Sequence, residues 1–255
     1  MKLIFDSHAH YDDDKFNDDR DEILTSMLAD KVNTIINCGI DITNSKECIN
    51  LSKKYERIYC ALGVHPHEAD SVPPNYISEL EKMFEFKKAV AVGEIGLDYH
   101  YNFSERKNQI KIFEEQILLA KKLDKPIIVH DREAHKDTLD LLKKYAPKGV
   151  VHCFSGSLEM ANEVIKIGMY IGIGGAVTFK NAKKIVDVVN SIPMERILLE
   201  TDAPYMTPVP FRGQRCDSNH ILNTAEKIAK IKNISLNDVL NTSTRNSCDL
   251  FSINI

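Results

Sequence analysis

What most constrains this chain is a rhythm of short apolar runs. Eight segments rich in Val, Ile and Leu, bounded by polar residues or Gly/Pro, fall at 3–10, 32–40, 58–66, 89–98, 126–132, 149–156, 170–175 and 197–204. Their starts lie 29, 26, 31, 37, 23, 21 and 27 residues apart. Each interval has room for a crossover helix, which antiparallel hairpins would not need. Helical stripes do appear between the runs: Ile23, Leu24, Met27 and Leu28 form one, and Ile110, Phe113, Ile117 and Ala120 another. Eight β-then-α units in 255 residues fit an α/β fold closed as a (β/α)8 barrel of the TIM type better than an open doubly wound sheet, which carries fewer strands. No low-complexity linker or internal repeat divides the chain, so a single barrel domain over 1–255 is expected. The longest helix-poor connection, 205–219, follows the last run and contains Pro208, Pro210, Arg212, Gly213 and Arg215. Long loops in compact domains are often functional.

Composition narrows the partners. With 43% hydrophobic and 27% charged residues the chain has ample material for a core, which excludes a disordered or collagen-like protein. The balance of 33 Lys+Arg against 37 Asp+Glu gives a net charge of -4. A broad positive face for coating a duplex is therefore excluded, and any contact with nucleic acid must be local. Asp6 interrupts the first apolar run long before a signal peptide would be complete, and no later stretch approaches the roughly 18 uncharged apolar residues of a membrane span. The six cysteines (38, 48, 60, 153, 216 and 248) include no C-x-x-C pair. They read as reduced, mostly buried thiols of a cytoplasmic protein, with no membrane association and no obligate protein partner evident.

The informative feature is where the polar residues sit. Asp6, His8 and His10; His65; Glu94 and Asp98; His130 and Arg132; His152; and Glu200 and Asp202 all fall toward the C-terminal ends of the proposed strands. In such barrels this end opens on the active-site face, and side chains two apart on a strand share a side. Singly, a strand-end His or Asp is most often a satisfied structural residue, a turn former or a cap. Together, four His, one Glu and one Asp converge from strands one, four, five, six and eight. They exceed the three or four protein ligands of a single zinc, so a binuclear metal site is the natural reading.

The strings DSHAH (6–10), GVHPH (63–67), GEIGLDY (93–99), VHDR (129–132), HCFSG (152–156) and ETDAPY (200–205) resemble the signature of the TatD family of metal-dependent deoxyribonucleases, which are amidohydrolase-type barrels. The likeness runs from Asp6 to the terminal helix near Phe251. It implies that His8, His10 and Asp202 hold one divalent cation, that His130 and His152 hold the other, and that Glu94 touches both. Residue chemistry agrees, because a carboxylate can bridge cations about 3.5–4 Å apart and an imidazole cannot, while Gly93 allows a close backbone approach. Two carboxylates and two divalent ions would leave the pocket at about +2, so an acidic protein could still attract a phosphodiester. The family also implies metal-activated water as nucleophile and a 3′ exonuclease acting on single-stranded DNA. Glu94 and Asp202 are the catalytic candidates, with Asp202 either a ligand alone or also the proton acceptor. The donor set would accept Zn, Mn, Fe, Ni or Mg.

Other residues carry softer expectations. Asp6 and Glu200 would sit deeper and orient ligand imidazoles, or form a buried ion pair. Arg132, Arg212 and Arg215 would bind phosphates, and His65 would touch substrate. His67, His100, His135 and His220 read as surface or loop residues. Cys153, next to His152, should face away from the mouth if strand alternation continues through it, which argues against a thiol nucleophile. Gly172-Ile173-Gly174-Gly175 lacks the third glycine of a dinucleotide loop. In the long loop the stretch Arg215-Cys216-Asp217-Ser218-Asn219-His220 departs from the family pattern. Two other classes of function stay open: hydrolysis of a small amide, ester or lactone, and metal binding without turnover.

Overall fold

The computed structural model describes residues 4–255; Leu3, which opens the first apolar run, lies outside the described residues. Eight parallel strands pair in chain order: β1 (Ile4–Ala9), β2 (Val32–Cys38), β3 (Ile58–Leu62), β4 (Ala89–Asp98), β5 (Ile127–Arg132), β6 (Gly149–Val151), β7 (Tyr170–Ile173) and β8 (Ile197–Leu199). Between them run α1 (Arg20–Ala29), α2 (Ile42–Lys54), α3 (Tyr76–Met83), α4 (Arg106–Lys122), α5 (His135–Tyr145), α6 (Leu158–Lys166) and α7 (Lys183–Ser191). After β8 come α8 (Ile221–Lys232) and a final α9 (Leu236–Phe251). This is the (β/α)8 barrel. Of the two expected helical stripes, Leu24, Met27 and Leu28 are buried in α1, and Phe113, Ile117 and Ala120 in α4. Among the described residues no helix is long and apolar enough to cross a membrane.

The lumen is packed rather than open. Phe5, Ile36, Ala61, Val90, Ile128, Val150 and Leu198 share one buried cluster with Leu250, Phe251 and Ile253. Strands that are not neighbours meet this way only across the barrel interior, and burial of each such side chain is worth about 1.5–3 kcal/mol. Phe251, at the end of α9, stacks on Phe5 with centroids 6.1 Å apart and closes the end opposite the mouth. The barrel closes between β1 and β8 through a single parallel bridge, Ala9 to Ala203. β8 pairs along its length with β7, and side chains satisfy backbone groups that its short run leaves without a ladder. The Leu199 N–H donates to the Ser243 hydroxyl, Ser7 donates to the Leu199 carbonyl, and Asn246 donates to the carbonyls of Met194 and Ile197.

Two strands shift register just before the residues of interest. On β1 the pairing slips between Asp6 and Ala9, and on β4 between Val92 and Ile95. Val90 and Ala91 both join the lumen cluster because β3 and β4 already slip at Cys60/Ala61, and strict alternation onward from Phe5 and Ala91 would send His8 and Glu94 to the helix side. A slip of one residue reverses that parity and aims both into the mouth. Gly93 is required there, because a Cβ would come within 2.7 Å of the Ile128 side chain.

Candidate metal centre

The site assembles on those strand ends. His8 Nε2 and His10 Nε2 face each other at 3.0 Å. Asp202 Oδ1 lies 3.6 Å from each of them, and Glu94 Oε2 lies 3.4 Å from each. The other Glu94 oxygen, Oε1, is 2.8 Å from His130 Nδ1 and 2.7 Å from His152 Nε2, and those two nitrogens are 3.4 Å apart. The two groups are packed tightly together, since the His8 and His152 rings stack at 3.9 Å. A cavity of about 1070 Å³ opens above them.

The last strands end earlier than their apolar runs. His152, Glu200 and Asp202 lie past the ladders of β6 and β8, where the backbone turns: Cys153 has φ 42° and Asp202 φ 64°. Asp tolerates this left-handed region better than most residues. The same turn corrects the expectation for Cys153. Alternation no longer applies outside the strand, and Cys153 lines the cavity. Burial, reinforced by Asp202, Glu200 and Glu94, raises its thiol well above the ordinary value, so it stays protonated and remains a poor nucleophile.

The supporting partners differ from those anticipated. Asp6 does not touch an imidazole. Its Oδ1 accepts from the backbone N–H groups of His8 and Thr201, and its Oδ2 accepts from the hydroxyls of Thr201 and Ser218, which pins the β1/β8 seam. Burial pushes Asp6 up to about 6 against those bonds. The ring partner of His10 is instead the Cys38 carbonyl, 2.9 Å from Nδ1, and the Cys38 thiol lies 3.4 Å from His8 Nδ1. Glu200 accepts from the Cys153 N–H at 2.5 Å and approaches His152 Nδ1 to 3.9 Å. It reaches this position because β7 carries Gly172, where a Cβ would fall 2.4 Å from Glu200 Oε2.

Asp98, at the end of β4, supports the second imidazole pair. Its Oδ2 is 3.1 Å from His130 Nε2 and 2.9 Å from His67 Nε2, while Oδ1 accepts the N–H groups of His100 and Tyr101. His67 is therefore a cavity residue rather than a surface one; its i,i+2 spacing from His65 was the available signal. His65 Nε2 lies 3.5 Å from Glu94 Oε1, and its Nδ1 accepts the His67 N–H. Nothing in the sequence could have singled out Cys38, whose role depends on how β2 registers against β1.

The arginines separate. Arg132 stands at the cavity rim with its guanidinium 4.7 Å from the Tyr101 ring centroid, and no carboxylate among the described residues pairs with it. Arg212 and Arg215, expected to bind phosphates, do not line the cavity. Arg212 donates to the Thr207 carbonyl and covers Phe179 at 3.8 Å. Arg215 forms a two-pronged pair with Asp19 at 2.8 and 2.5 Å and donates to the Lys15 carbonyl. Its fork is already used, so a phosphate would have to displace a fitted carboxylate. The divergent stretch after it is ordered: Asp217 and His220 cap each other's backbone, and Ser218 reaches Asp6 and Tyr11.

Charge and donor type fit divalent cations. Burial opposes ionisation of Glu94, yet the fields of His152, His65 and His8 hold it well below the carboxylate range. Burial likewise opposes a charge on His10, but Glu94 and Asp202 hold it up to about 10. His130 is held up to about 9 by Asp98 and Glu94 against the same opposition. Protons thus supply positive charge that a cation would replace. Burial raises Glu200 to about 8, and Glu200 Oε2 and His152 Nδ1 are both buried without a hydrogen-bond partner. If His152 Nε2 faced a cation, Nδ1 would carry the ring proton and aim it at Glu200. Three overlapping groups have donor atoms within 4.8 Å of one another: His8, His10 and Glu94; His8, His152 and Asp202; and His65, Glu94 and His130.

A parallel (β/α)8 barrel with this cage at the C-terminal mouth defines a metal-dependent hydrolase. The chain belongs to the TatD-related DNase family, whose model matches residues 5–252. It is 38% identical over 255 residues to the metal-dependent hydrolase YabD of Bacillus subtilis (strain 168), covering 99% of this chain and 100% of YabD. It is 34% identical over 209 residues to the 3′-5′ ssDNA/RNA exonuclease TatD of Klebsiella pneumoniae (strain 342), covering 80% of each. The crystal structure of YjjV, a TatD homolog from Escherichia coli K12, superposes with a TM-score of 0.93 at 31% identity and 99% coverage of both chains.

Proposed function

We propose that this protein, as a single barrel domain over 1–255, is a phosphodiesterase that shortens single-stranded DNA from the 3′ end with the help of two divalent cations. The observation that carries the proposal is the division of Glu94, whose Oε2 faces His8 and His10 while Oε1 faces His130 and His152. One carboxylate serving two imidazole pairs suits two cations about 3.5–4 Å apart. His8, His10 and Asp202 would hold one, His130 and His152 the other, with Glu94 shared. Bound there, the pair supplies Lewis acidity toward phosphoryl oxygens and lowers the pKa of water toward about 7.

The remaining work falls to the chain. Asp202 turns Oδ1 to His8 and His10, which leaves Oδ2 to accept the proton of the attacking water; burial raises this carboxyl and makes it a better base. Asp98 and the Cys38 carbonyl fix the ring planes of His130 and His10. Burial lowers His65 to about 4, and its neutral ring, with Nδ1 accepting from His67, points an Nε2–H donor inward toward a phosphate oxygen. Arg132 offers an unpaired guanidinium at the rim for a neighbouring phosphate. The exonuclease polarity is supported by the name of the Klebsiella pneumoniae relative. The six cysteines, all free, suit a cytoplasmic setting.

The test is a substrate panel on metal-stripped protein with Zn, Mn, Mg, Fe or Ni restored singly: single- and double-stranded DNA, RNA, simple phosphodiesters, esters and lactones. Release of mononucleotides from the 3′ end of single-stranded DNA is expected. Faster turnover of an ester or lactone than of any phosphodiester would overturn the reading.

A further inference from the structure

The loop between β4 and α4 carries groups that the metal cage does not use. Tyr101 and Phe103 are 47% and 66% exposed, and their rings stack on each other with centroids 5.3 Å apart and planes 11° apart. Two large rings left together in water mark a surface suited to being covered. Arg132, free of any carboxylate partner among the described residues, lies over Tyr101 at 4.7 Å. His67 meets both rings edge-on, at 5.5 and 4.8 Å. Asp98 anchors this arrangement to the cage, because Oδ1 accepts the Tyr101 N–H while Oδ2 pairs with His130. The rings are thereby held in register with the reacting centre.

The opposite rim has the other charge. Asp12, Asp13 and Asp14 border the cavity there beside Tyr205, and the carboxylates continue outward through Asp18, while Asp19 is paired with Arg215. Lys15 covers the Tyr205 ring at 3.9 Å and Arg20 donates to the Asp12 and Asp13 carbonyls, but the two cations are outnumbered by Asp12, Asp13, Asp14 and Asp18. A polyanion leaving the cage in that direction meets successive like charges. Leaving over Arg132, it meets a cation and two π faces, with the neighbouring Glu133 paired to His100.

We propose that Tyr101, Phe103 and Arg132 form the subsite for the nucleotide on the 5′ side of the scissile phosphate, the base stacking on the exposed ring pair and its phosphate meeting Arg132. The inference rests on the nuclease reading above and adds where the retained strand runs. Every base has a π face, so the subsite has little sequence preference.

The test is a cycle between protein and substrate. Wild type and a Tyr101→Ala/Phe103→Ala double variant are assayed on a single-stranded oligonucleotide, on the same strand made abasic at that nucleotide, and on methyl para-nitrophenyl phosphate. Removing the base should raise the wild-type KM roughly 10- to 100-fold; the double variant should show a similar rise on the intact strand and no further rise on the abasic one. Tyr101→Phe, which keeps the ring, should retain the wild-type KM. Arg132→Gln should flatten the log-log salt dependence by about 0.7. Additive losses, or an intact-strand KM for the double variant within twofold of wild type, would overturn the subsite and leave the nuclease reading standing. If wild type turns over methyl para-nitrophenyl phosphate but cleaves no oligonucleotide, the nuclease reading fails and the subsite with it.

Discussion

The two sides of the mouth hold their imidazoles by different means. On the seam side, between β1 and β8, His10 and His8 lean on neutral groups of one residue, the carbonyl and thiol of Cys38, while Asp6 is spent on backbone and hydroxyl groups. On the β4–β5 side, His130 leans on the ionised carboxylate of Asp98, which burial opposes but hydrogen bonds from His130, the Tyr101 N–H and His67 hold well below the usual range. A carboxylate behind an imidazole raises its basicity more than a carbonyl or thiol does. The difference lies in what stands behind each ring, a carbonyl and a thiol from the end of β2 for the β1 pair and an ionised carboxylate for His130, while Glu94 and Asp202 supply the charge in front of His10. Removing the charge behind the ring should therefore hurt the second side more.

The largest effect that compares the two sides is on metal affinity as pH changes. His10, held up to about 10, and His130, held up to about 9, are protonated at neutral pH without metal, one on each side. Loading both cations must expel both protons, so affinity rises with pH and the gain ends once both pKa values are passed. Calorimetry in buffers of different ionisation enthalpy should show net proton release near pH 7, to which His10, His130 and the likewise raised His152 contribute. A count of zero would contradict the charge balance described for the cage.

Asp98→Asn should come next. It removes one of the groups that hold His130 up, so fewer protons should be released than by wild type, and metal affinity or turnover should fall roughly 10- to 100-fold. Cys38→Ala leaves the carbonyl to His10 intact and removes only the thiol contact to His8, so a change of a few-fold at most is expected in the same titration. If Cys38→Ala proves as damaging as Asp98→Asn, the contrast between the two sides collapses. Smallest of all should be Arg215→Ala. Its guanidinium serves Asp19 and Lys15 away from the cavity, and KM for an oligonucleotide should move less than about twofold.

Much of this was legible in the sequence, for physical reasons. Parallel strands covered by helices are apolar on both faces, so β3 and the first half of β4 announced themselves as continuous runs. The ligand candidates showed because a polar residue ending such a run has few structural reasons to be there. Three things were hidden. The slips on β1 and β4 leave no trace in hydrophobic pattern, although they aim His8 and Glu94. The left-handed turns at Cys153 and Asp202 carry the chain out of alternation, so the side of Cys153 was misread. Loop geometry was hidden most deeply, since Arg212 and Arg215 looked like phosphate binders until Phe179 and Asp19 were seen beside them.

The central claim is that Glu94 joins the two sides by serving two cations at once. Metal content per chain, measured by mass spectrometry on wild type and Glu94→Gln after saturation and desalting, tests it most directly, with phosphodiester turnover followed on the same samples. The account predicts two divalent ions in wild type, about one in Glu94→Gln, and a loss of turnover of two orders of magnitude or more. Two ions retained in the variant, with turnover within a few-fold of wild type, would contradict it.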